Sequence, residues 1–362
     1  MILEKIKIHS MKNLYRISIA VFLIALIVLP IQYSFGGNKD RSGQAGATEL
    51  LINPWAKTSG WGNAGSATVT GLEAIFGNVG GLALTKGFDA GLSYTKYLSS
   101  ADVDIYSFGI ASKVGESGAI GLSIMSMNFG TIDRTTTALP DEGAGTYSPS
   151  LMNINLAYSR SFSNSIHGGF VLKMISEAVS DASAQGMAID AGIQYITGKN
   201  DNIKLGVALK NIGAPMRFSG DGLSVKAFLP GQANSFSTEW RSEKFELPMQ
   251  FNIGLGYDFL IGETSKFTLA GTFVSNSFTY DQYVLGGEFS LRDVLLLRAG
   301  YTYEDKMNDE IEGLTLHRGF SAGFSLQLPL DKETGTNIGI DYSFQATRTF
   351  NGIHRLGIHL TL

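Results

Sequence analysis

The segment 247–259 carries an apolar residue at every second position, and this alternation constrains the fold more than any other feature of the chain. A period of two is typical of a β-strand with one apolar and one polar face. Strands of soluble proteins are usually about five or six residues long, whereas a tilted strand that crosses a bilayer needs about 9–11. We therefore expect the apolar face to contact lipid and the polar face to line a lumen.

The same alternation recurs in segments 187–195, 203–209, 295–303, 320–328, 338–344 and 356–362. Alternating segments separated by turn residues are typical of outer-membrane barrels, which in bacteria have an even number of strands. We predict an all-β fold, a transmembrane antiparallel β-barrel of about fourteen strands in the cell outer membrane, with twelve or sixteen strands as alternatives. The predicted strands are 87–97, 103–113, 118–128, 150–163, 165–176, 186–197, 202–212, 245–260, 264–275, 280–290, 294–303, 318–329, 335–347 and 351–362.

The lengths of the predicted connections orient the barrel. Long loops at 129–149, 177–185, 213–244 and 304–319 alternate with short turns. Because barrels have short periplasmic turns and longer extracellular loops, both ends of the mature chain should lie in the periplasm. Pro248 conflicts with the strand that contains it, since proline donates no ladder hydrogen bond, and we expect a bulge or an irregular start there.

The N-terminal residues 1–36 are predicted to be a signal peptide. Lys12 and Arg16 precede an apolar run at 17–30, which is shorter than a membrane-spanning helix, and Ser34 and Gly36 suit a cleavage site. A retained inner-membrane anchor is the alternative. We divide the rest of the chain into an N-terminal extension and lumen plug, 37–86, and an outer-membrane β-barrel, 87–362.

The plug prediction rests on segment 49–87, which is apolar and rich in glycine but lacks the alternation of a strand. Glycine makes up 44 of the 362 residues, and barrel walls use it where another backbone approaches closely. The run 60–65 matches G-x-G-x-x-G, yet no strand precedes it, so no dinucleotide site is predicted. Thr70 and Glu73 have the spacing of a helix capping box.

Motifs in this segment resemble a known family. Residues 51–57, 60–65 and 77–83 resemble the N-terminal signature of the PorV/PorQ outer-membrane proteins, and Lys210-Asn211-Ile212-Gly213 resembles that family's mid-barrel motif. Lys57, Trp61 and Val79 depart from the pattern, which leaves open whether the subfamily is PorV-like, PorQ-like or another. The residues that carry the plug motif are Asn53, Pro54, Gly60, Trp61, Gly62, Ala64, Gly65, Asn78 and Gly80.

The resemblance implies a FadL-like, fourteen-stranded barrel with an N-terminal plug, and a role in type IX protein secretion in Bacteroidota. Such a barrel would bind a large translocon barrel, accept secreted proteins through their C-terminal sorting domain, and hand them to the cell-surface attachment machinery. FadL-type relatives instead carry hydrophobic small molecules inward, which is the alternative function. Outer-membrane lipid is the remaining expected partner.

The loop 213–244 is unusually apolar, and exposed apolar patches mark interaction sites. We predict it to be the partner- or ligand-binding loop; folding back as a lid over the barrel mouth is the alternative. Its candidate residues are Met216, Phe218, Leu223, Phe228, Leu229, Phe236 and Trp240.

The remaining polar residues do not indicate chemistry. Catalysis, for instance by a barrel lipase, is not predicted, because His354 and His359 have opposite parity on one strand. The acidic loop 304–312 lacks calcium-loop spacing, the chain has no cysteine, and its net charge is −4. No cofactor, metal or nucleic acid is therefore expected. By parity we expect a set of charged residues to face the lumen and pair there: Lys173, Asp190, Lys204, Lys210, Asp258, Glu288 and Arg298.

Overall fold

The fold is a closed ring of fourteen antiparallel strands in which the first strand pairs with the last. The computed structural model describes residue 37 and residues 39–137, 140, 145–228, 234–262, 264–331 and 335–362. The strands are β1 (Phe88–Leu98), β2 (Val103–Val114), β3 (Gly118–Asn128), β4 (Ile132–Asp133), β5 (Thr146–Tyr147), β6 (Ser150–Ser161), β7 (Ile166–Val179), β8 (Ala182–Thr197), β9 (Ile203–Gly213), β10 (Ser224–Phe228), β11 (Ser235–Glu239), β12 (Gln250–Ile261), β13 (Ser265–Asn276), β14 (Gln282–Leu291), β15 (Leu295–Glu304), β16 (His317–Asp331), β17 (Thr336–Thr347) and β18 (Ile353–Thr361).

Four of these strands lie outside the ring. β4 pairs with β5, and β10 pairs with β11, so each pair forms a separate hairpin in a long connection. The other fourteen strands match the predicted number and follow the predicted order around the ring. The prediction of a fourteen-stranded antiparallel barrel is therefore confirmed.

The alternation that predicted the barrel is visible on β12. Phe251, Ile253 and Leu255 are exposed on its outer face, whereas Asn252 and Gly254 are buried. β12 pairs with β9 and β13 without a break in register. Because a strand turns successive side chains to opposite faces, the ring presents an apolar outer surface and a polar inner one.

Three of the predicted strand boundaries are wrong by three residues or more: the end of β7 and the starts of β8 and β12. β12 starts at Gln250 rather than at 245, so Pro248 precedes the strand, and its carbonyl accepts a hydrogen bond from Asn211 Nδ2 at 3.0 Å. The expected long loop 177–185 is also absent: Glu177 pairs with Ala184, and the tight turn at Ser180 has a positive φ of 52°. The polar composition of 177–185 indicated a loop, but the segment forms a hairpin that continues β7 and β8.

The long connections 129–149, 214–249 and 305–316 all leave the same end of the ring. The opposite end has only short turns, and there Phe88 and Leu362 exchange backbone hydrogen bonds of 3.1 and 2.8 Å. By the rule that barrels have short periplasmic turns, the end with the long connections faces outward, and we call it the outer end.

Seven short helices complete the described structure: the α-helical turn α1 (Ala56–Ser59) and the 3₁₀ helices Lys39–Arg41, Thr48–Leu51, Ala64–Ala67, Gly71–Ile75, Val79–Leu84 and Asp221–Leu223. Within the described ranges, none of these helices has the length and apolar composition needed to cross a membrane. The predicted signal peptide, 1–36, lies outside the described residues.

The residues 39–86, which we call the N-terminal segment, contact strands on every side of the ring. Helix Gly71–Ile75 contacts β1–β3, helix Val79–Leu84 contacts β6–β8, helix Ala64–Ala67 contacts β9 and β12–β14, and α1 contacts β16–β18. The predicted capping box is absent. Thr70 makes no side-chain cap, and Glu73 Oε2 instead accepts a hydrogen bond from the backbone N–H of Thr58 at 2.9 Å.

A charge on the outer face should destabilise the barrel. Leu255 is 50% exposed in the middle of β12, and arginine on the lipid face at mid-membrane costs about 2–4 kcal/mol. We expect Leu255→Arg to lower the free energy of unfolding in lipid vesicles by that amount, measured by denaturant titration of tryptophan fluorescence. Phe228→Arg, which changes an exposed residue outside the ring, is the control. Equal effects of the two variants would contradict the assignment of the lipid face.

Candidate functional site

Glycines line the inner wall where the N-terminal segment meets the strands. At each of ten strand glycines an added Cβ would come closer than 3.0 Å to a neighbouring atom. Real Cβ atoms do not approach so closely, so a larger residue at any of these positions would force the segment or the wall to move. The ten are Gly91, Gly109, Gly121, Gly192, Gly206, Gly254, Gly256, Gly286, Gly300 and Gly323.

Trp61 shows how closely the segment fits. Its side chain is 5% exposed and packs with Ala64, Ala270, Val274 and Val284. Its backbone carbonyl lies against Gly300 and Gly286, where any Cβ would collide with it.

Four further motif residues support this contact. Gly62 adopts a positive φ of 72°, which suits glycine. The Ala64 carbonyl accepts a hydrogen bond from Thr272 Oγ1 at 2.7 Å. Gly60 lies directly against Gly323, and Gly65 lies against the Trp61 ring.

Asn53 and Pro54 connect the segment to the first and last strands. Asn53 is 3% exposed, and its Nδ2 donates to Thr58 Oγ1 at 2.8 Å and to Asn63 Oδ1 at 2.6 Å. The Pro54 carbonyl accepts a hydrogen bond from Ser93 Oγ at 2.7 Å. Both residues are buried, and these contacts position the segment against the wall.

Asn78 and Gly80 connect the segment to β8. Asn78 Oδ1 caps helix Val79–Leu84 by accepting from the Gly80 N–H at 3.1 Å. Asn78 Nδ2 donates to the carbonyls of Ser66 at 2.9 Å and Ile193 at 3.1 Å. A Cβ on Gly80 would lie 2.8 Å from the backbone nitrogen of Gln194. All nine motif residues are therefore buried between the segment and the wall.

The inner wall carries the ion pairs expected from parity. Lys173 pairs with Asp190 at 2.7 Å, Lys204 with Asp258 at 2.8 Å, and Arg298 with Glu288 at 2.6 Å. Each pair joins neighbouring strands, and buried charges of this kind need a partner because they have lost water. Among the described residues Lys210 has no ion-pair partner; its Nζ lies 3.9 Å from the centre of the Phe76 ring in the N-terminal segment.

A bulge between β8 and β9 explains the motif at 210–213. The register shifts between Ile189 and Ala191, and Asn211 takes a positive φ of 61°. Its backbone N–H donates to Asp190 Oδ1, and its Oδ1 accepts from Lys173 Nζ, both at 2.7 Å. Asparagine tolerates this conformation and supplies both hydrogen-bonding groups, so the residue orders the outer end of the wall.

Arg355 was not singled out from the sequence, although its alternation with Leu356 indicates an inward orientation. It is 2% exposed, and it donates from Nε to the Asn53 carbonyl at 3.0 Å and from Nη2 to Gln345 Oε1 at 3.2 Å. Nothing local in the sequence indicates the contact with Asn53, because the two residues are 302 positions apart.

A cavity of about 430 Å³ lies between the N-terminal segment and the outer end of the ring. Its floor includes Asn53, Ser66 and Phe76, and residues 314–316 of the β15–β16 connection lie over it. Its strand residues are mostly polar or charged: Tyr97, Lys210, Gln250, Asn252, Val274, Asn276, Gln282, Val284, Thr302, Glu304, His317, Gln345 and Arg355. We call this space the outer chamber.

The candidate loop residues fall into two groups. Met216 is only 2% exposed and packs with Leu50, Ile175 and Leu247, so its prediction as an exposed contact residue is wrong. Phe218 is half-buried against the same cluster. Leu229 lies outside the described residues. The other four, Leu223, Phe228, Phe236 and Trp240, belong to the β10–β11 hairpin or border it.

This hairpin has one apolar face. Phe236 pairs with Ala227, Thr238 with Val225, and the Trp240 N–H donates to the Leu223 carbonyl at 2.9 Å. Because paired residues share a face of the sheet, Leu223, Val225, Ala227, Phe236 and Trp240 lie on the same side, which we call the hairpin face. Phe228 lies on the opposite, mainly polar side. Trp240 is 70% exposed and Phe236 is 43% exposed.

The fold and the buried segment define an outer-membrane β-barrel, and comparison with known proteins gives its family. Residues 99–358 match the model of the type IX secretion system membrane protein PorP/SprF. The chain belongs to this family of type IX secretion system membrane proteins. The PorV/PorQ assignment is not confirmed, because PorP/SprF is a different family. No curated protein sequence matches significantly.

Two solved structures that share this fold are toluene transporters. The toluene transporter TodX of Pseudomonas putida aligns with a TM-score of 0.52 and 12% identity over 85% of this chain and 97% of TodX. The toluene transporter TbuX of Ralstonia pickettii aligns with a TM-score of 0.50 and 11% identity over 84% and 98% of the two chains. A FadL homologue of Pseudomonas aeruginosa gives 0.48 and 13% over 84% and 96%. At 12% and 11% sequence identity, the similarity to TodX and TbuX shows only that the fold is shared.

Removing the glycine contact under Trp61 should loosen the N-terminal segment. Gly300→Val would place side-chain atoms where the Trp61 carbonyl lies, whereas Gly271→Val adds atoms in a roomier position on β13. Because the chain has no cysteine, Ser66→Cys, at a 4% exposed position, supplies a single thiol. We expect maleimide to label that thiol at least tenfold faster with Gly300→Val than with Gly271→Val. Equal labelling rates would show that the contact does not hold the segment.

Glu49 should make stability depend on pH. Burial and the nearby Glu177 carboxylate raise the pKa of Glu49 to about 7, against an ordinary 4.5. The folded chain therefore favours the neutral form, so this stabilisation is complete below pH 4.5 and is lost as the pH rises through 7. The expected loss is on the order of 3 kcal/mol.

The test compares unfolding at pH 4.5 and pH 8 for the wild type, Glu49→Gln and the exposed-turn control Glu116→Gln. We expect Glu49→Gln, unlike Glu116→Gln, to make the free energy of unfolding less dependent on pH than it is in the wild type. A Glu49→Gln profile that coincides with that of the wild type would contradict the role of this carboxyl.

Proposed function

We propose that this barrel serves type IX secretion by holding a protein of the secretion pathway at its outer end, through the hairpin face. The partner is either the large translocon barrel or an exported protein with a C-terminal sorting domain. The observation that carries the proposal is the exposed apolar face of the β10–β11 hairpin. Membership of a type IX secretion family supports the choice of pathway.

The composition of the hairpin face suits a protein partner. Phe236 and Trp240 supply large exposed aromatic surfaces, and aromatic residues dominate the binding energy of many protein interfaces. The opposite side of the hairpin carries Lys226, Ser237 and Glu239, which suit water. A strand pair at the outer end with one polar, solvent-facing side and one exposed apolar side is the arrangement expected of a docking element rather than of a simple loop.

The base of the hairpin is anchored, which favours a fixed docking position. Met216 and Phe245 exchange two backbone hydrogen bonds of 2.9 Å, and the Met216 side chain is buried beside the N-terminal segment. The Gly220 N–H donates to Glu239 Oε1 at 3.1 Å. A pre-organised element loses less conformational entropy when a partner binds.

The alternative function is a channel for hydrophobic small molecules, and the fold shared with two toluene transporters favours it. Two features favour the docking role instead. The N-terminal segment, which we propose acts as a plug, fits the glycine wall without clearance. The outer chamber, moreover, mixes charged and amide side chains such as Arg355 and Asn252 with apolar ones, whereas a hydrocarbon site is lined predominantly by apolar side chains.

The hairpin itself provides a matched test. We expect the triple variant Val225→Ser, Phe236→Ser, Trp240→Ser to recover at least tenfold less partner than the wild type when tagged barrels are purified from solubilised outer membranes. The partners scored by mass spectrometry are a very large barrel protein and exported proteins that share one C-terminal domain. Phe228→Ser, on the opposite side of the same hairpin, should recover them normally.

Two results would overturn this proposal. If Phe228→Ser and the triple variant lose partners equally, the hairpin face has no special role. If the wild-type barrel is recovered without such proteins but with a stoichiometric hydrophobic molecule, the channel function is correct.

A further inference from the structure

The first described residues of the chain lie at the outer end of the ring. The predicted mature chain begins at residue 37, where an added Cβ would lie 2.5 Å from the Thr279 carbonyl oxygen. Thr279 belongs to the β13–β14 connection, which is at the outer end because Asn276 pairs with Gln250 at the start of β12. Leu362 lies at the opposite end of the ring. The expectation that both ends of the mature chain lie in the periplasm is therefore wrong.

Two side chains fasten this part of the chain to the outer connections. Arg41 Nη2 lies 2.7 Å from Glu246 Oε1, and the Arg41 guanidinium lies 4.4 Å from the centre of the Phe278 ring. Ser42 Oγ donates to the Phe278 carbonyl at 3.2 Å. These contacts join the β13–β14 connection to the connection that carries the β10–β11 hairpin. We call residues 39–50 the strap.

The strap pairs with the base of the hairpin. Met216 and residues 245–247 form that base, which we call the stem. Ala45 forms a parallel bridge with Glu246, and the Gly46 N–H donates to the Glu246 carbonyl at 3.0 Å. The backbone of the stem is therefore hydrogen-bonded to the strap as well as within itself.

Side chains of the strap and the stem share one buried cluster. Ala47 and Leu50 of the strap are each 3% exposed, and they pack with Met216 and Leu247, which are 2% and 3% exposed. Separating the strap from the stem would expose these apolar side chains to water, which is unfavourable. The two elements therefore stabilise each other.

The fit between the strap and the stem is closest at Gly46. A Cβ on Gly46 would lie 2.3 Å from the Phe245 ring, so the stem has no room for a larger residue there. On its other side the hairpin is held by β8, where Ser183 and Ser219 exchange backbone hydrogen bonds of 2.9 Å. The strap is thus one of two supports of the hairpin, and it is the one that continues into the N-terminal segment.

We propose that the strap couples the hairpin to the N-terminal segment at the cell surface, so that the stem and the strap open as one unit. Leu51 and Ile52, which follow the strap, line the outer chamber, so opening this unit widens that chamber. The coupling is reciprocal, because a change that frees the strap also frees the stem and the reverse. It is a property of the barrel alone and does not rest on the proposed docking role.

Labelling of intact cells tests the position of the strap. The chain has no cysteine, so Asp40→Cys, Glu312→Cys and Lys199→Cys each supply a single thiol at an exposed position. We expect a membrane-impermeant maleimide to label position 40 in the strap and position 312 in the β15–β16 connection. Position 199, in the short β8–β9 turn, should react at least tenfold more slowly. Labelling at 312 but not at 40, or fast labelling at 199, would overturn the proposal.

Hydrogen exchange of the purified full-length barrel in detergent tests the coupling. Gly46→Val places side-chain atoms where the Phe245 ring lies, so it should separate the strap from the stem. We expect the backbone amides of residues 245–247 to exchange at least tenfold faster in this variant than in the wild type. Phe245→Ala, the converse change, should speed exchange in residues 46–52 by a similar factor.

Two matched controls change exposed side chains of the same elements. Asp40→Ala in the strap and Phe228→Ala in the hairpin should exchange as the wild type does. The coupling is refuted if Gly46→Val speeds exchange in the strap but not in the stem, or if Phe245→Ala speeds it in the stem but not in the strap. No partner protein is present, so either result leaves the docking proposal unaffected.

The wild type alone decides the question even if Gly46→Val does not fold. The Gly46 N–H is bonded to the stem, and the Phe245 N–H is bonded within it to the Met216 carbonyl at 2.9 Å. If the strap and the stem open as one unit, the two amides have equal protection factors. Protection factors that differ by more than tenfold would show that the two elements open separately.

Discussion

The closure of the ring is the constraint on which the rest of the structure depends. In hydrocarbon every unpaired backbone N–H or C=O costs several kcal/mol, so the edge of β1 must be paired, and β18 pairs with it from Asp89–Thr361 to Lys96–His354. Closure in turn fixes two environments, lipid outside and a lumen inside. Every strand must then alternate, and the lumen must be filled or lined with satisfied polar groups.

The lumen satisfies this demand in two ways. Deep in the barrel the N-terminal segment packs against glycines of the strands. Because these glycines have no side chain, there is room to bury Trp55, Trp61 and Leu72 of the segment. Elsewhere in the wall, lysine, arginine and acidic residues on neighbouring strands pair directly. The outer chamber is the part of the lumen that the N-terminal segment leaves open.

The strands were predictable from the sequence because alternation is a local signal. The pattern of β12 alone indicated both faces, and parity placed Lys173, Asp190 and Arg298 in the lumen, where ion pairs confirm it. Strand ends were less predictable. The 177–185 segment looks like a loop because it is polar, yet it pairs as a hairpin where β7 and β8 continue at the outer end.

The sites depend on contacts that no local pattern encodes. Arg355 donates to Asn53 across almost the whole chain, and Met216, which is apolar and in a loop, is buried because the N-terminal segment reaches it. Phe228 and Phe236 looked equivalent in the sequence. Only the register of the hairpin places them on opposite sides.

The central claim is that the hairpin face meets a protein of the secretion pathway at the outer end of the barrel, and photo-crosslinking in intact cells tests it most directly. A photoreactive amino acid is placed at Trp240, on the hairpin face, or at Phe228, on the opposite side. We expect a protein adduct from position 240, containing the translocon or an exported protein, and none from position 228. Adducts of equal yield from both positions, or from neither, would contradict it.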